Sequence, residues 1–140
     1  MDTRDCVLCC LVAGDAPATW VARRNKASAV LPLTESQLSP AHTLVVPHDH
    51  ATGIHDASAE SLHAVMLLAQ EVARAMEARI GAPGVNLLSA SGPHSDQSVP
   101  HLHVHVIPRW EGDDLDTWPS TVSRHVLEGD WLTSLRAGLE

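Results

Sequence analysis

The sequence predicts an α+β domain built on a mainly antiparallel β-sheet. Two observations support this prediction: several short strand-like segments follow one another along the chain, and one long helix stands among them. The long helix is predicted over residues 59–80, with Ser58 as its N-cap and Gly81 and Pro83 to end it. The strand candidates are residues 19–22, 27–33, 42–47, 85–89 and 101–107.

The long helix carries an apolar stripe at the i, i+3, i+4 spacing of a helix that packs on a sheet. Met66 and Met76 belong to this stripe, and both are expected to fill the core. A short helix is predicted after Cys6, and further helical pieces are expected between residues 120 and 139. The stripe consists of Leu62, Val65, Met66, Ala69, Val72, Ala73, Met76 and Ile80.

Length and charge limit the possible functions. At 140 residues the chain is long enough for one domain, predicted over residues 1–110, followed by an extension over residues 111–140. We expect the extension to pack on the domain or on a partner subunit. The net charge of −8, with no basic cluster larger than Arg23, Arg24 and Lys26, argues against a nucleic-acid binder. The chain shows no signal-peptide pattern and no membrane span, and its three cysteines do not suggest a disulfide scaffold, so we expect a cytoplasmic protein.

A run of three alternating histidines stands out between residues 101 and 109. His101, His103 and His105 alternate with apolar residues, which is the period of a β-strand and predicts that the three imidazoles share one face. Three neighbouring imidazoles are costly to hold unless they have a task. Three interpretations are open: a tris-histidine metal site, a nucleophile flanked by helper groups, or a solvated polar face.

A Cys-x-x-Cys motif at Cys6 and Cys9 has the spacing of half a zinc site. Two thiolates do not complete a site, so the other ligands would have to be histidines. A redox-active pair and plain buried cysteines are the alternatives. Cys10 has no evident partner and is expected to be a core thiol.

Together these motifs resemble the histidine triad (HIT) superfamily, and the resemblance covers about residues 6–110. Such proteins share a fold with a mainly antiparallel five-stranded sheet, one long helix and a short N-terminal helix, and they commonly form homodimers through the helix and the sheet edge. The motifs that carry the resemblance are His101-x-His103-x-His105, Cys6-x-x-Cys9, residues 13–17, residues 42–47 with His50, residues 84–88 and residues 97–99.

The resemblance implies nucleotide hydrolysis or transfer. The middle histidine, His103, would attack the α-phosphate, with the backbone carbonyl after the triad holding its ring, and His105 would assist at the phosphate. Gln97 and Ser98 would lie in a phosphate-binding loop, and His42 would lie close to the triad. The substrate would be a nucleoside phosphoramidate or a dinucleoside polyphosphate.

The resemblance also implies a structural zinc ion. In the zinc-bearing members, the histidine after the buried strand and the first triad histidine complete the site. These positions are His50 and His101, which with Cys6 and Cys9 give a Cys₂His₂ set.

Three positions depart from the HIT pattern. Asp96 stands where Gly usually precedes Gln, Ala90 stands where an Asn often contacts substrate, and Thr34 aligns with a ribose-binding aspartate. These departures motivate a second functional hypothesis, a nucleotide-binding or protein-interaction module with little or no catalysis.

Overall fold

The computed structural model describes residues 3–140. Its five strands form one antiparallel sheet in the spatial order β1-β2-β3-β5-β4, with β1 and β4 at the edges. The predicted α+β class and five-stranded sheet are confirmed. The elements are α1 (Val7–Ala13), β1 (Trp20–Arg23), β2 (Ala27–Val30), β3 (Thr43–Pro47), α2 (Ala59–Ile80), β4 (Gly84–Leu88), β5 (Val104–Arg109) and α3 (Trp131–Ala137), with 3₁₀ turns at Thr3–Asp5 and Thr34–Ser36.

The long helix α2 begins and ends as its sequence predicts. The Ser58 hydroxyl accepts the backbone N–H of Ser61, and Gly81 ends the helix in the left-handed conformation that favours glycine. Met76 is buried as expected, whereas Met66 is 53% exposed and Ile80 is 45% exposed, so those two assignments to the core were wrong. The face that meets the sheet runs through Ser61, Val65, Leu68, Ala69, Val72 and Met76, and Met66 lies outside it.

The two faces of the sheet carry different layers. Val104 and Val106 of β5 pack with α2 in the main core. Because side chains alternate along a strand, His105 lies on the opposite face. A second, smaller cluster consists of Cys6, Leu8 and Val46, with Leu44 and Val99 packed against it. The metal and triad residues described below lie on this side of the sheet.

The triad segment is only partly a strand. β5 begins at Val104, so His101 and His103 precede it in an irregular segment, and the predicted single strand face for all three histidines was wrong. β5 also continues through Pro108, which was expected to end it. Pro108 pairs with Val85 of β4, whereas β3 pairs with β5 only as far as Val106. The missing N–H of Pro108 is tolerated because it lies beyond the end of β3.

The C-terminal extension contains one helix, α3, of seven residues. Residues 119–140 are exposed throughout, so this segment does not pack on its own domain. Packing against a partner subunit remains a prediction.

Within residues 3–140, no helix is long and apolar enough to cross a membrane.

Candidate active site and metal centre

Four side chains from three separate segments converge beside the start of β5. Cys6 and Cys9 come from the start of α1, His50 follows β3, and His101 precedes β5. One ligand atom of each lies within 4.8 Å of the other three. The sulfur atoms of Cys6 and Cys9 are each 3.4 Å from Nδ1 of His101, and Nδ1 of His50 is 3.3 Å from the sulfur of Cys9. The structure thus brings the predicted ligand set together.

The hydrogen bonds around this cluster fit a zinc site. Nε2–H of His101 donates to the carbonyl oxygen of Pro47 at 3.0 Å, so the Nδ1 lone pair is directed at the cluster. Two sulfurs and two imidazole nitrogens match a closed tetrahedral Zn²⁺ site, which is typical of structural zinc. Burial, aided by neighbouring Cys6, raises the pKa of the Cys9 thiol to about 11, so metal binding there must displace a proton.

The three triad imidazoles do not form a metal site of their own. His101 directs Nδ1 at the cysteines, whereas Nδ1 of His103 faces a backbone carbonyl and Nδ1 of His105 faces His42. Among residues 3–140, the cluster of Cys6, Cys9, His50 and His101 is the one group of metal-binding side chains. The tris-histidine interpretation is therefore not supported.

A backbone carbonyl fixes the orientation of the His103 ring. Its Nδ1 lies 2.7 Å from the carbonyl oxygen of His101. Since a carbonyl can only accept, Nδ1 carries a proton, and in the neutral form of the ring the lone pair is therefore on Nε2. The carbonyl that holds the ring thus belongs to His101, and the expectation that it follows the triad was wrong. The same residue supplies a metal-binding nitrogen through its side chain and a hydrogen-bond acceptor to His103 through its backbone.

A chain of hydrogen bonds fixes the tautomer of His105. The backbone N–H of Leu38 donates to Nδ1 of His42 at 3.0 Å, so the proton of a neutral His42 is on Nε2. That Nε2 lies 2.9 Å from Nδ1 of His105 and donates to it. His105 therefore carries its own proton on Nε2, where it can be donated to a substrate oxygen.

Strand pairing explains why His42 meets His105. Leu44 of β3 pairs directly with His105 of β5, and His42 lies two residues before Leu44, so it faces the same side. The predicted position of His42 close to the triad is what the structure shows.

Both rings are neutral near pH 7. Burial lowers the pKa of His42, and burial followed by repulsion from His103 and His42 lowers the pKa of His105 to about 4. Neutral rings are what the tautomer assignment requires, because a doubly protonated His42 could not accept the N–H of Leu38.

The loop over residues 89–98 is anchored beside His103. The hydroxyl of Ser89 donates to the carbonyl oxygen of His103 at 2.9 Å, and the hydroxyl of Ser91 accepts the N–H of Ile54. Gly53 must be glycine here, because a Cβ would lie 2.6 Å from that of Ser91. The loop is therefore fastened both to His103 and to the segment that follows β3.

Gln97 and Ser98 have different surroundings. Both ends of the Gln97 amide are occupied: its oxygen accepts the N–H of Gly92, and its nitrogen donates to the carbonyl of Thr52. Gln97 thus joins two loops. Ser98 is exposed, and its hydroxyl makes no hydrogen bond to the described part of the chain. Of the two, Ser98 has the hydroxyl available for a ligand.

Several positioning residues were missed in the sequence. Ser89, Ser91 and the carbonyl of Pro47 carry no motif signal, since their roles depend on long-range contacts. Cys10 was expected in the core but is half-exposed, and its thiol contacts the backbone of Arg4.

The comparisons with known proteins decide the family. The HIT domain family matches residues 13–112 of this chain. The chain belongs to the HIT family. A relative of this HIT protein, an uncharacterized 16.1 kDa HIT-like protein of Mycoplasma pneumoniae, is 34% identical over 111 residues, which cover 79% of this chain and 76% of that protein. The adenosine 5′-monophosphoramidase hnt1 of Schizosaccharomyces pombe is 34% identical over 104 residues, which cover 74% of each chain.

A solved structure supports the metal assignment. A Zn-bound histidine triad family protein from Mycobacterium smegmatis superimposes with a TM-score of 0.76 at 33% identity, over 82% of each chain. The Cys₂His₂ cluster of this HIT protein can thus bind a metal, and zinc fits its donor set.

The backbone explains one departure from the HIT pattern. Asp96 has a φ of +65°, in the left-handed region that glycine enters freely and Asp or Asn enters more readily than other residues. The position therefore requires a backbone conformation that Gly usually supplies, and this HIT protein meets it with Asp. The side chain is exposed, so the loop can adopt the HIT conformation while presenting a carboxylate.

Arg109 is not available to a phosphate. Its guanidinium forms a bidentate pair with Asp113 and also bonds to the side chains of Asn86 and Thr117 and to the carbonyl of Leu115. Arg109 thus fastens the loop after β5. In this HIT protein Arg109 therefore has a structural role.

Replacing His42 by Ala is expected to lower kcat by about 10- to 100-fold, because His105 loses the donor that fixes its tautomer. A His42→Gln variant is expected to recover part of the rate, since its amide N–H can donate to Nδ1 of His105. Steady-state kinetics on a nucleotide substrate measure both. Equal loss in the two variants would contradict the positioning role.

Proposed function

We propose that this protein is a nucleotide hydrolase or transferase that cleaves at the α-phosphate of a nucleoside phosphoramidate or dinucleoside polyphosphate. The single observation that carries the proposal is the pairing of opposite tautomers. His103 offers an Nε2 lone pair, while neighbouring His105, with ring centroids 5.0 Å apart, offers an Nε2–H. A nucleophile beside a hydrogen-bond donor is what attack on an anionic phosphate needs.

The reaction would proceed in two displacements. Nε2 of His103 attacks the α-phosphorus, the bond to the leaving group breaks, and the leaving group takes a proton from solvent or from the Ser98 hydroxyl. The Nε2–H of His105 donates to a phosphate oxygen as charge develops there. Water then attacks the nucleotidyl-histidine, which restores His103 and releases the nucleoside monophosphate.

The Cys₂His₂ cluster would act structurally. Cys6, Cys9, His50 and His101 would hold the zinc ion, which supplies a rigid link between α1, the turn after β3 and the segment before β5. All four coordination positions would be filled by protein, so none is open for a reacting water. His101 then presents its carbonyl to His103 in a fixed direction. Thiolate ligands are compatible with a reducing, cytoplasmic setting.

A second candidate function is a nucleotide-binding or interaction module with little catalysis. Ala90 and Thr34 favour it, because both lack the polar groups that HIT proteins often direct at the nucleoside. The intact geometry at His103 and His105 favours the enzyme, so we keep catalysis as the main proposal.

A panel of adenosine phosphoramidates and dinucleoside polyphosphates tests the proposal through release of the nucleoside monophosphate. Turnover by the zinc-loaded protein supports it. Calorimetric binding of nucleotide without turnover of any member would replace it with the binding module.

We also propose a homodimer formed through α2 and the sheet edge. Residues 1–110 would form the domain, and the extension over residues 111–140 would pack on the partner subunit. β4 is an edge strand, and an apolar groove beside it exposes Met66, Leu67, Val85 and Leu87. Such an edge can be covered by a second copy. Sedimentation should give twice 15.0 kDa.

A Leu67→Glu change at this groove is expected to shift the protein to monomers. Val7→Glu, at another exposed apolar position, on α1, serves as the control and should leave the dimer intact. A monomeric wild-type protein would contradict the dimer.

A further inference from the structure

The segments around the triad contain no permanent cation. Residues 27–73 and 80–108 include no lysine or arginine, and they contain the triad, His42 and the loop over residues 89–98. The flanking cations are engaged or distant: Lys26 pairs with Glu60, and Arg109 is bound by Asp113. Arg74 and Arg79 lie on α2, which packs on the other face of the sheet. The triad and the loop that leads to it thus offer a polyanionic leaving group no lysine or arginine of their own.

The same loops carry exposed negative charge. The carboxylate of Asp56 is partly compensated, because it accepts the backbone N–H groups of Thr52 and Gly53. Asp96 differs, since it is exposed and makes no hydrogen bond or ion pair with the described residues. An uncompensated carboxylate therefore lies on the loop that leads to the triad.

Asp96 is close to the reacting groups along the chain. It precedes Ser98 by two residues, so their Cα atoms are at most about 7.6 Å apart. The loop begins at Ser89, which is bonded to the His103 carbonyl, and Gln97 fastens its far end to Thr52. Asp96 thus lies on a loop that is fastened to His103 at one end and to Thr52 at the other, and that carries the Ser98 hydroxyl proposed to act at the leaving group.

We propose that Asp96 selects substrates by the charge of the leaving group. It favours nucleoside 5′-phosphoramidates whose leaving amine bears a positive charge and disfavours dinucleoside polyphosphates, whose leaving group is an anionic nucleotide. This rests on the proposed function of His103. Chemically, the P–N bond breaks as the bond from His103 Nε2 to phosphorus forms, and the departing nitrogen takes a proton from water.

Three adenosine 5′-phosphoramidates of similar size provide the test. Their leaving amines are butane-1,4-diamine, butylamine and 4-aminobutyrate, which give the leaving group a distal charge of +1, 0 or −1. Two charges roughly 8 Å apart change kcat/KM by roughly 2-fold per unit charge at the dielectric constant of water and by up to roughly 30-fold at that of a protein surface. We expect the wild-type protein to prefer the cationic, then the neutral, then the anionic substrate, and salt to weaken this order.

Asp96→Asn removes the charge and keeps a residue that tolerates the left-handed backbone. Asp114→Asn is the matched control, because Asp114 is also an exposed aspartate with a positive φ, of +59°. It follows the far end of β5, and that end, at Arg109, is about 20 Å along the strand from His103. We expect the charge preference to collapse toward equal rates in Asp96→Asn and to persist in Asp114→Asn.

Different outcomes separate the two proposals. Turnover without a charge preference in the wild-type protein, or a preference that survives in Asp96→Asn, would overturn the role of Asp96 and leave the nucleotide hydrolase standing. Absence of turnover of all three substrates by folded, zinc-loaded protein that still cleaves a dinucleoside polyphosphate would overturn the role of Asp96 alone. Absence of turnover of the dinucleoside polyphosphates as well would overturn both proposals. Circular dichroism and zinc content verify that each variant is folded.

Discussion

Replacing His103 by alanine is expected to lower kcat/KM for nucleotide cleavage by about 10⁴-fold or more, because the variant has no group to form the covalent intermediate. His103 is 5% exposed, and its ring donates one hydrogen bond to the His101 carbonyl and contacts His105 edge-on, so alanine should cost the stability of one buried side chain, on the order of 1–3 kcal/mol. Nucleotide affinity and thermal stability should therefore change much less than the rate. Steady-state release of nucleoside monophosphate, with calorimetry for binding, measures the two separately.

A second histidine variant tests whether the loss of rate is specific to His103. His63 is exposed on α2, away from the triad face, and His63→Ala should leave the rate within about twofold. If His103→Ala retained more than a tenth of the wild-type rate, His103 could not be the nucleophile.

Replacing Cys6 by serine is expected to remove the metal and destabilise the fold. Cys6 is 2% exposed, begins α1 as its N-cap and contributes a ligand atom to the Cys₂His₂ cluster. Loss of one thiolate from a structural zinc site should cost at least about 3 kcal/mol, roughly a 10 °C fall in Tm for a chain of this size. Metal analysis should fall from one zinc per chain to almost none.

Activity should fall with the metal. The His101 carbonyl holds the ring of His103, so a loosened His101 is expected to lower the rate by about 10- to 100-fold. Cys10→Ser is the control, since Cys10 lies next to a ligand but outside the cluster. Retention of a full equivalent of zinc in Cys6→Ser would contradict this ligand set and return attention to the triad histidines.

Periodicity and caps were sufficient to predict most of the fold. The boundaries of α2 follow from Ser58, Gly81 and the spacing of its apolar residues, and each predicted strand overlaps an observed one. The errors arose where tertiary context outweighs local pattern. Alternation alone cannot show that β5 begins only at Val104, nor that Pro108 lies where no neighbouring strand needs its N–H.

The candidate site also has features that the sequence predicts and features that depend on tertiary contacts. Spacing alone predicted half a zinc site at Cys6 and Cys9, and the resemblance to zinc-bearing HIT proteins was needed to add His50 and His101, which the structure brings together with them. The tautomers of His103 and His105 could not be read from sequence, since they depend on the backbone of His101 and Leu38. Gln97 was predicted from its motif to lie in a phosphate-binding loop. Its amide instead forms hydrogen bonds to the backbone of two loops, at Gly92 and Thr52, and the motif could not show these contacts.

The stereochemical course at phosphorus tests the central claim most directly. Each in-line displacement inverts phosphorus, so attack by His103 followed by attack by water predicts net retention of configuration. The measurement uses an adenosine phosphoramidate with a chiral, sulfur-substituted phosphorus, hydrolysed in ¹⁸O-labelled water and analysed by phosphorus NMR. Retention would support a nucleotidyl-His103 intermediate. Inversion would show that water attacks directly and would contradict the account.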